Sequence, residues 1–148
     1  MSDLYELQLA LDFPDSLSAA DLDVLRWHLG EGQDAVPDGA EDAEEYPLLS
    51  SRGPAQHIGG ALVCDLCRSA RGWALSARQE VHPDEFDDLH RLLAWLAARA
   101  TTVGAVGHLR FYEAEVPDVL IAEAGSFRRV VLRPSGPAEG QLLPGALD

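Results

Sequence analysis

Apolar side chains stand at every odd position from Tyr5 to Phe13, and the positions between them are polar or small. A period of two is typical of a half-buried β-strand, because successive side chains of a strand point to opposite faces. Pro14 and Asp15 interrupt the pattern. We therefore expect a first strand that buries its odd-numbered side chains.

Two segments follow the helical period instead. The first begins at Ser18, where the Ser18 hydroxyl and the Asp21 carboxylate form a predicted capping box that satisfies free backbone N–H groups. It ends at Gly30. Its apolar stripe is Leu22, Leu25 and Leu29. The second opens with a proline and two acids over residues 82–85, which suit the first turn of a helix. Its apolar stripe is Phe86, Leu89, Leu93 and Leu96.

Further strands are predicted by alternation on both sides of the second helix. Residues 62–67 and 73–81 flank a turn that contains Gly72 and so predict a hairpin. Residues 108–112, 119–122 and 127–133 make the last third rich in strands. The order predicts an α+β fold, a ferredoxin-like βαββαβ sandwich with an extra C-terminal β-hairpin. We expect a single domain over residues 1–133 and a flexible tail over residues 134–148, which holds three Pro and three Gly.

Residues 31–57 break the periodicity with acids, glycines and prolines. Such a composition buries little apolar surface, so we expect a mobile acidic loop. The acids expected to bind a partner are Asp34, Asp38, Glu41, Asp42, Glu44 and Glu45.

The chain has a net charge of −14, and residues 1–50 hold 13 acids against one Arg, a net of −12. This charge repels nucleic acid and anionic membranes, whose binding needs neutralising basic groups. A basic protein is a better partner, because complementary charge speeds association. We therefore expect a protein-interaction module without catalytic activity, of an inhibitor or immunity kind, that binds a basic partner. Acidic loops that only keep the protein soluble are the plainer explanation.

A small-molecule-binding protein or enzyme is the alternative. A sheet covered by helices on one face leaves the other face open, where we expect Arg78, His108, Arg110 and Tyr112 beside the polar residues of the first strand. These four residues are the candidate ligand-binding set. Plain cross-strand ion pairing between Arg78 or Arg110 and the acids of the first strand would explain them without a ligand.

The remaining candidate chemistry is weaker. Cys64 and Cys67 lie three apart on a predicted strand and so point to opposite faces, which argues against a redox pair or a zinc site. No catalytic motif, metal motif or phosphate loop is present, so we expect no metal and no cofactor. A protein without enzymatic activity is the simplest interpretation. The first residues lack a secretory pattern, which predicts a cytoplasmic protein, either a monomer or a homodimer formed through the C-terminal strand. The absence of Lys and Asn indicates the GC-rich genome of a high-GC bacterium.

Overall fold

The computed structural model describes residues 3–31, 47–133, 135–136 and 140–144. In these ranges the chain forms seven β-strands and two α-helices. The strands are β1 (Tyr5–Pro14), β2 (Gly53–Pro54), β3 (Ala61–Ser69), β4 (Gly72–Val81), β5 (Gly104–Phe111), β6 (Asp118–Glu123) and β7 (Ser126–Val130). The helices are α1 (Ala19–His28) and α2 (Phe86–Arg99), and a 3-10 turn over Pro83–Glu85 leads into α2.

The seven strands form one antiparallel sheet in the order β2-β3-β4-β1-β5-β6-β7. The first strand therefore lies at the centre of the sheet, between β4 and β5. Its register places Leu9 opposite Ala77 on β4 and Gly107 on β5. Residues from three distant parts of the chain thus meet on each face of β1.

The predicted ferredoxin-like βαββαβ sandwich is wrong. In the described residues an additional strand, β2, lies between α1 and β3, and β6 and β7 extend the same sheet beyond β5. The molecule is dominated by a seven-stranded sheet that carries only two helices. The sequence pattern missed β2 because two residues are too few to show a period of two. The pattern predicted the last hairpin, but it contained no signal that this hairpin extends the sheet beside β5.

The core forms on the face that the helices cover. The odd-numbered side chains of β1 are buried there, as the alternation predicted; they are Leu7, Leu9, Leu11 and Phe13. Leucines of both helices, and one directly after α1, complete this core; they are Leu25, Leu29, Leu89, Leu92, Leu93 and Leu96. The Asp21 carboxylate of α1 lies 3.1 Å from Arg99 Nε of α2. In the part of the chain that the structure describes, neither helix has the length and apolar character needed to cross a bilayer.

Residues 47–57, the second part of the predicted mobile loop, make specific contacts with the body. Leu49 is fully buried, and its N–H donates to the carbonyl of His28 at 3.0 Å. The buried Gln79 side chain exchanges two hydrogen bonds with Ser51, each 3.0 Å long. Arg52 donates to the Cys64 carbonyl at 2.8 Å. Composition alone does not reveal such contacts, because single polar side chains make them.

Candidate functional site on the open sheet face

The open face is formed by the even-numbered side chains of β1 and their neighbours. The antiparallel register places Gln8 between Arg78 of β4 and His108 of β5. It places Glu6 beside Arg110 of β5. The cross-strand neighbours expected from the sequence are therefore present, and three of the four predicted ligand-binding residues surround the start of β1.

Glu6 is the centre of this group. Its carboxylate accepts from Arg78 Nε at 2.9 Å and from Arg110 Nε at 3.2 Å, and His108 Nε2 lies 2.8 Å from it. Burial opposes ionisation of this side chain, but the hydrogen bonds from His108, Arg110 and Arg78 outweigh it and hold the pKa of Glu6 below its usual value. Cross-strand ion pairing, the plainer explanation of these residues, is thus what the structure shows.

A glycine lets β5 approach β1 closely enough to make these contacts. The β5–β6 register shifts between Ala105 and Gly107. A Cβ atom at Gly107 would lie 1.8 Å from the Gln8 carbonyl oxygen, which no side chain can tolerate. Gly107 therefore keeps the two backbones together and fixes the neighbouring His108 on the open face.

A loop, residues 55–60, is attached to the same end of the face by Glu80. The Glu80 carboxylate accepts the backbone N–H groups of Gln56 at 2.8 Å, His57 at 2.7 Å and Ile58 at 3.2 Å. Burial of Glu80 would raise its pKa, but these three donors reverse the effect and lower the pKa. A carboxylate that binds several backbone amides in this way fixes the loop to the sheet.

The two arginines attach further backbone to this end. Arg78 donates to the carbonyls of Gly59 at 2.6 Å and Ala61 at 3.2 Å. Arg110 donates to the carbonyls of Tyr112 and Ala114, each at 3.0 Å. The donors of these arginines are therefore directed at the protein itself.

Tyr112, the fourth predicted ligand-binding residue, lies at the same end. Its ring centroid is 5.3 Å from that of His57 in the loop. A hydrogen bond with Glu113, together with a small desolvation effect, raises the pKa of its hydroxyl. We call this region the Glu6 end; its residues are Glu6, His57, Arg78, Glu80, His108, Arg110 and Tyr112.

The sequence predicts the cations of this end and their pairing with acids of the first strand, but it does not predict the loop that Glu80 binds. The pattern does not distinguish Glu6 from the other acids of the first strand, and it gives no specific role to Glu80. Only residues 55–57 of this loop belong to the predicted mobile segment 31–57, and the pattern predicts no structure for residues 58–60. The adjacent Gly59 and Gly60, both with positive φ, are the one local signal of a tight turn there.

The opposite end of the open face holds a cavity of about 640 Å³. It is lined by Asp12, Phe13, Pro14, Ser69, Ala70, Arg71, Thr101 and Thr102. Two hydrogen bonds attach the Thr101–Thr102 segment to β1: the Asp12 N–H donates to Thr102 Oγ1 at 2.7 Å, and the Thr101 N–H donates to the Asp12 carbonyl at 2.8 Å. We call this region the Asp12 end. Sequence reasoning did not find it, because its residues come from a strand end, a hairpin tip and a linker.

The two cysteines lie as predicted, with Cys64 buried and Cys67 exposed. Burial raises the pKa of the Cys64 thiol to about 12. Within the described ranges, no three His, Cys, Asp or Glu side chains are grouped closely enough to hold a metal ion.

The six predicted partner-binding acids lie outside the described residues; they are Asp34, Asp38, Glu41, Asp42, Glu44 and Glu45. Comparison of the chain with protein-family models, with curated proteins and with solved structures finds no match.

Proposed function

We propose that this chain is a cytoplasmic protein-interaction module without catalytic activity, of an inhibitor or immunity kind, that binds a basic protein. The distribution of charge carries the proposal. Residues 1–50 have a net charge of −12, and residues 32–46 hold six acids and no basic residue. Such a concentration attracts a positively charged surface and accelerates its association.

The arginines of the described chain do little to offset this charge at the surface. Nine of the eleven contact a carboxylate, a backbone carbonyl or an aromatic ring of the same chain. Their positive charge is therefore largely compensated within the fold. The unpaired excess of acids then determines the electrostatic potential that a partner meets.

The two flanks of the acidic segment are joined to each other. The Leu49 N–H donates to the His28 carbonyl at 3.0 Å, and a Cβ atom at Gly30 would lie 2.9 Å from Ser50 Cβ. The chain thus leaves the body and returns to it at adjoining points. A partner that binds the segment would therefore meet it between two ends that are fixed to the body.

The alternative site of Arg78, His108, Arg110 and Tyr112 has less support. The arginine donors already bind Glu6 and backbone carbonyls, so an anionic ligand would have to displace several hydrogen bonds. Loss of those bonds would cost about 1 kcal/mol or more for each. The geometry therefore favours a structural role for these residues.

Affinity capture from a lysate of the source organism tests the proposal with three forms of the full chain. One is wild type, and one has the six acids of residues 34–45 replaced by Asn or Gln. The third is a matched control with six exposed acids neutralised outside residues 1–50: Asp65, Asp84, Asp87, Glu113, Glu115 and Glu123.

We expect wild type and the control to retain the same basic protein at low salt, and the first variant to lose it. Binding should weaken steeply above about 0.3 M salt, where the screening length falls below about 6 Å. The absence of a partner at low salt, or equal loss with the control variant, would contradict the proposal.

A further inference from the structure

The Asp12 end carries two opposite charges that the fold leaves uncompensated. Within the described residues, the Asp12 carboxylate and the Arg71 guanidinium make no hydrogen bond or ion pair with another side chain or backbone group. Arg133, beyond β7, is the other arginine in that situation. Arg71 differs from it because it borders a cavity, and Asp12 borders the same one.

Backbone contacts hold both groups in place. Asp12 belongs to the central strand, and its backbone hydrogen bonds with the Thr101 N–H and the Thr102 hydroxyl continue the contacts of β1 beyond the first residue of β5. Arg71 lies at the tip of the β3–β4 hairpin, next to Gly72. A Cβ atom at Gly72 would lie 2.1 Å from the Phe13 carbonyl oxygen, so the hairpin tip packs directly on the end of β1. The two charged residues are therefore attached to adjoining parts of the sheet.

The lining of the cavity defines the chemistry of a ligand. An anion would be attracted by Arg71 and repelled by Asp12, whereas a cation would be attracted by Asp12 and repelled by Arg71. A molecule that bears both charges satisfies both residues. The hydroxyls of Ser69 and Thr102 add hydrogen-bonding groups, and Pro14 supplies apolar wall. The volume of about 640 Å³ lies within the usual range for small-molecule sites.

We propose that the Asp12 end binds a small zwitterion, of the size of an amino acid or a dipeptide. The carboxylate of the ligand binds the Arg71 guanidinium, and its ammonium group binds the Asp12 carboxylate. This site goes beyond the proposed function, since it includes none of the acids between residues 34 and 45. Either proposal can fail while the other stands.

Binding is tested by NMR with the full chain and two probe sets, the twenty amino acids and the Gly-Xaa dipeptides. Each is added at about 10 mM, enough to detect millimolar dissociation constants. We expect at least one probe to shift the backbone amides of Ser69, Arg71 and Thr102 in a saturable manner. If no probe shifts these amides, or if the shifts occur elsewhere, the proposal is overturned.

Variants then test the assigned roles with the strongest probe. Asp12→Asn and Arg71→Gln should each weaken binding about 10- to 100-fold, the usual effect of losing a charged hydrogen bond. The matched controls Asp65→Asn and Arg133→Gln, both at exposed positions, should leave it unchanged. Equal thermal midpoints of all four variants and wild type verify that each is folded.

Chemical blocking of the probe separates the two contacts. Amidation of its carboxylate should abolish the sensitivity to Arg71→Gln and keep the sensitivity to Asp12→Asn, and acetylation of its amine should do the reverse. Binding that is indifferent to both variants would contradict the assignment.

Discussion

Similar charged side chains lie at the two ends of the open sheet face, but among the described residues they are paired within the fold at one end only. At the Glu6 end, Arg78 and Arg110 share a nearly buried carboxylate, and residues 55–60 lie against Arg78. At the Asp12 end, an acid and an arginine border a cavity, and neither side chain has a hydrogen-bond or ion-pair partner in the described chain. The sheet supplies the same kinds of residue at both ends, so the difference lies in the covering loop.

The polar surface of the Glu6 end is part of the fold because a loop covers it. The loop brings backbone donors to Glu80 and backbone acceptors to Arg78, and so satisfies charges that water would otherwise solvate. Burial then strengthens each of these interactions. Where no described segment brings such groups, as at Asp12, the charges remain available to a ligand.

The largest expected effect comes from Glu6→Gln. The change leaves two arginines facing a neutral amide at a site where the Glu6 side chain is only 9% exposed. We expect the free energy of unfolding to fall by about 2–3 kcal/mol, somewhat less than for a fully buried ion pair, as measured by urea denaturation.

Asp15→Asn is the matched control for this variant. It removes the partner of Arg68 in a pair whose side chains are 58% and 65% exposed. A loss of at most about 0.5 kcal/mol is expected there. Similar losses for the two variants would show that the Glu6 end is not a buried network.

A smaller effect is expected from Glu80→Gln, which replaces a carboxylate with two acceptor oxygens by an amide with only one. The N–H groups of Gln56, His57 and Ile58 lose charge-assisted bonds, with a cost of about 1–2 kcal/mol. Their hydrogen exchange should accelerate about 10-fold, while exchange in the core of β1 changes little. Unchanged exchange at these three amides would contradict the role given to Glu80.

The smallest perturbation is chemical labelling, which leaves the folded protein otherwise unaltered. Cys67 lies on the open face, whereas Cys64 is buried and has a pKa of about 12. An alkylating reagent at pH 8 should therefore modify one thiol in the folded chain and both in denaturant. Peptide mass analysis identifies the site. Modification of Cys64 at the rate of Cys67 would contradict the assignment of faces on which both ends depend.

The sequence predicted the faces of the sheet well because side-chain parity is a local property. The alternation from Tyr5 to Phe13 placed Glu6 and Asp12 on the same open face, and the hairpin pattern added Arg78. Fold class and the covering loop are long-range properties. They depend on which edge β6 and β7 join, and on single contacts such as those of Gln79 with Ser51, which no period reveals. The Asp12 cavity was missed for the same reason.

The most direct test of the contrast is the pKa of Glu6, measured from its side-chain carboxyl carbon by NMR as a function of pH. A lowered pKa means that folding favours the ionised form, so this stabilisation is complete above about pH 4.5 and is lost as the pH falls through the folded value. We predict a Glu6 pKa clearly below 4.5, accompanied by a loss of stability in acid that Glu6→Gln diminishes. A pKa of 4.5 or above would show that burial outweighs the ion pairs, and that the Glu6 end is not the neutralised, closed region described above.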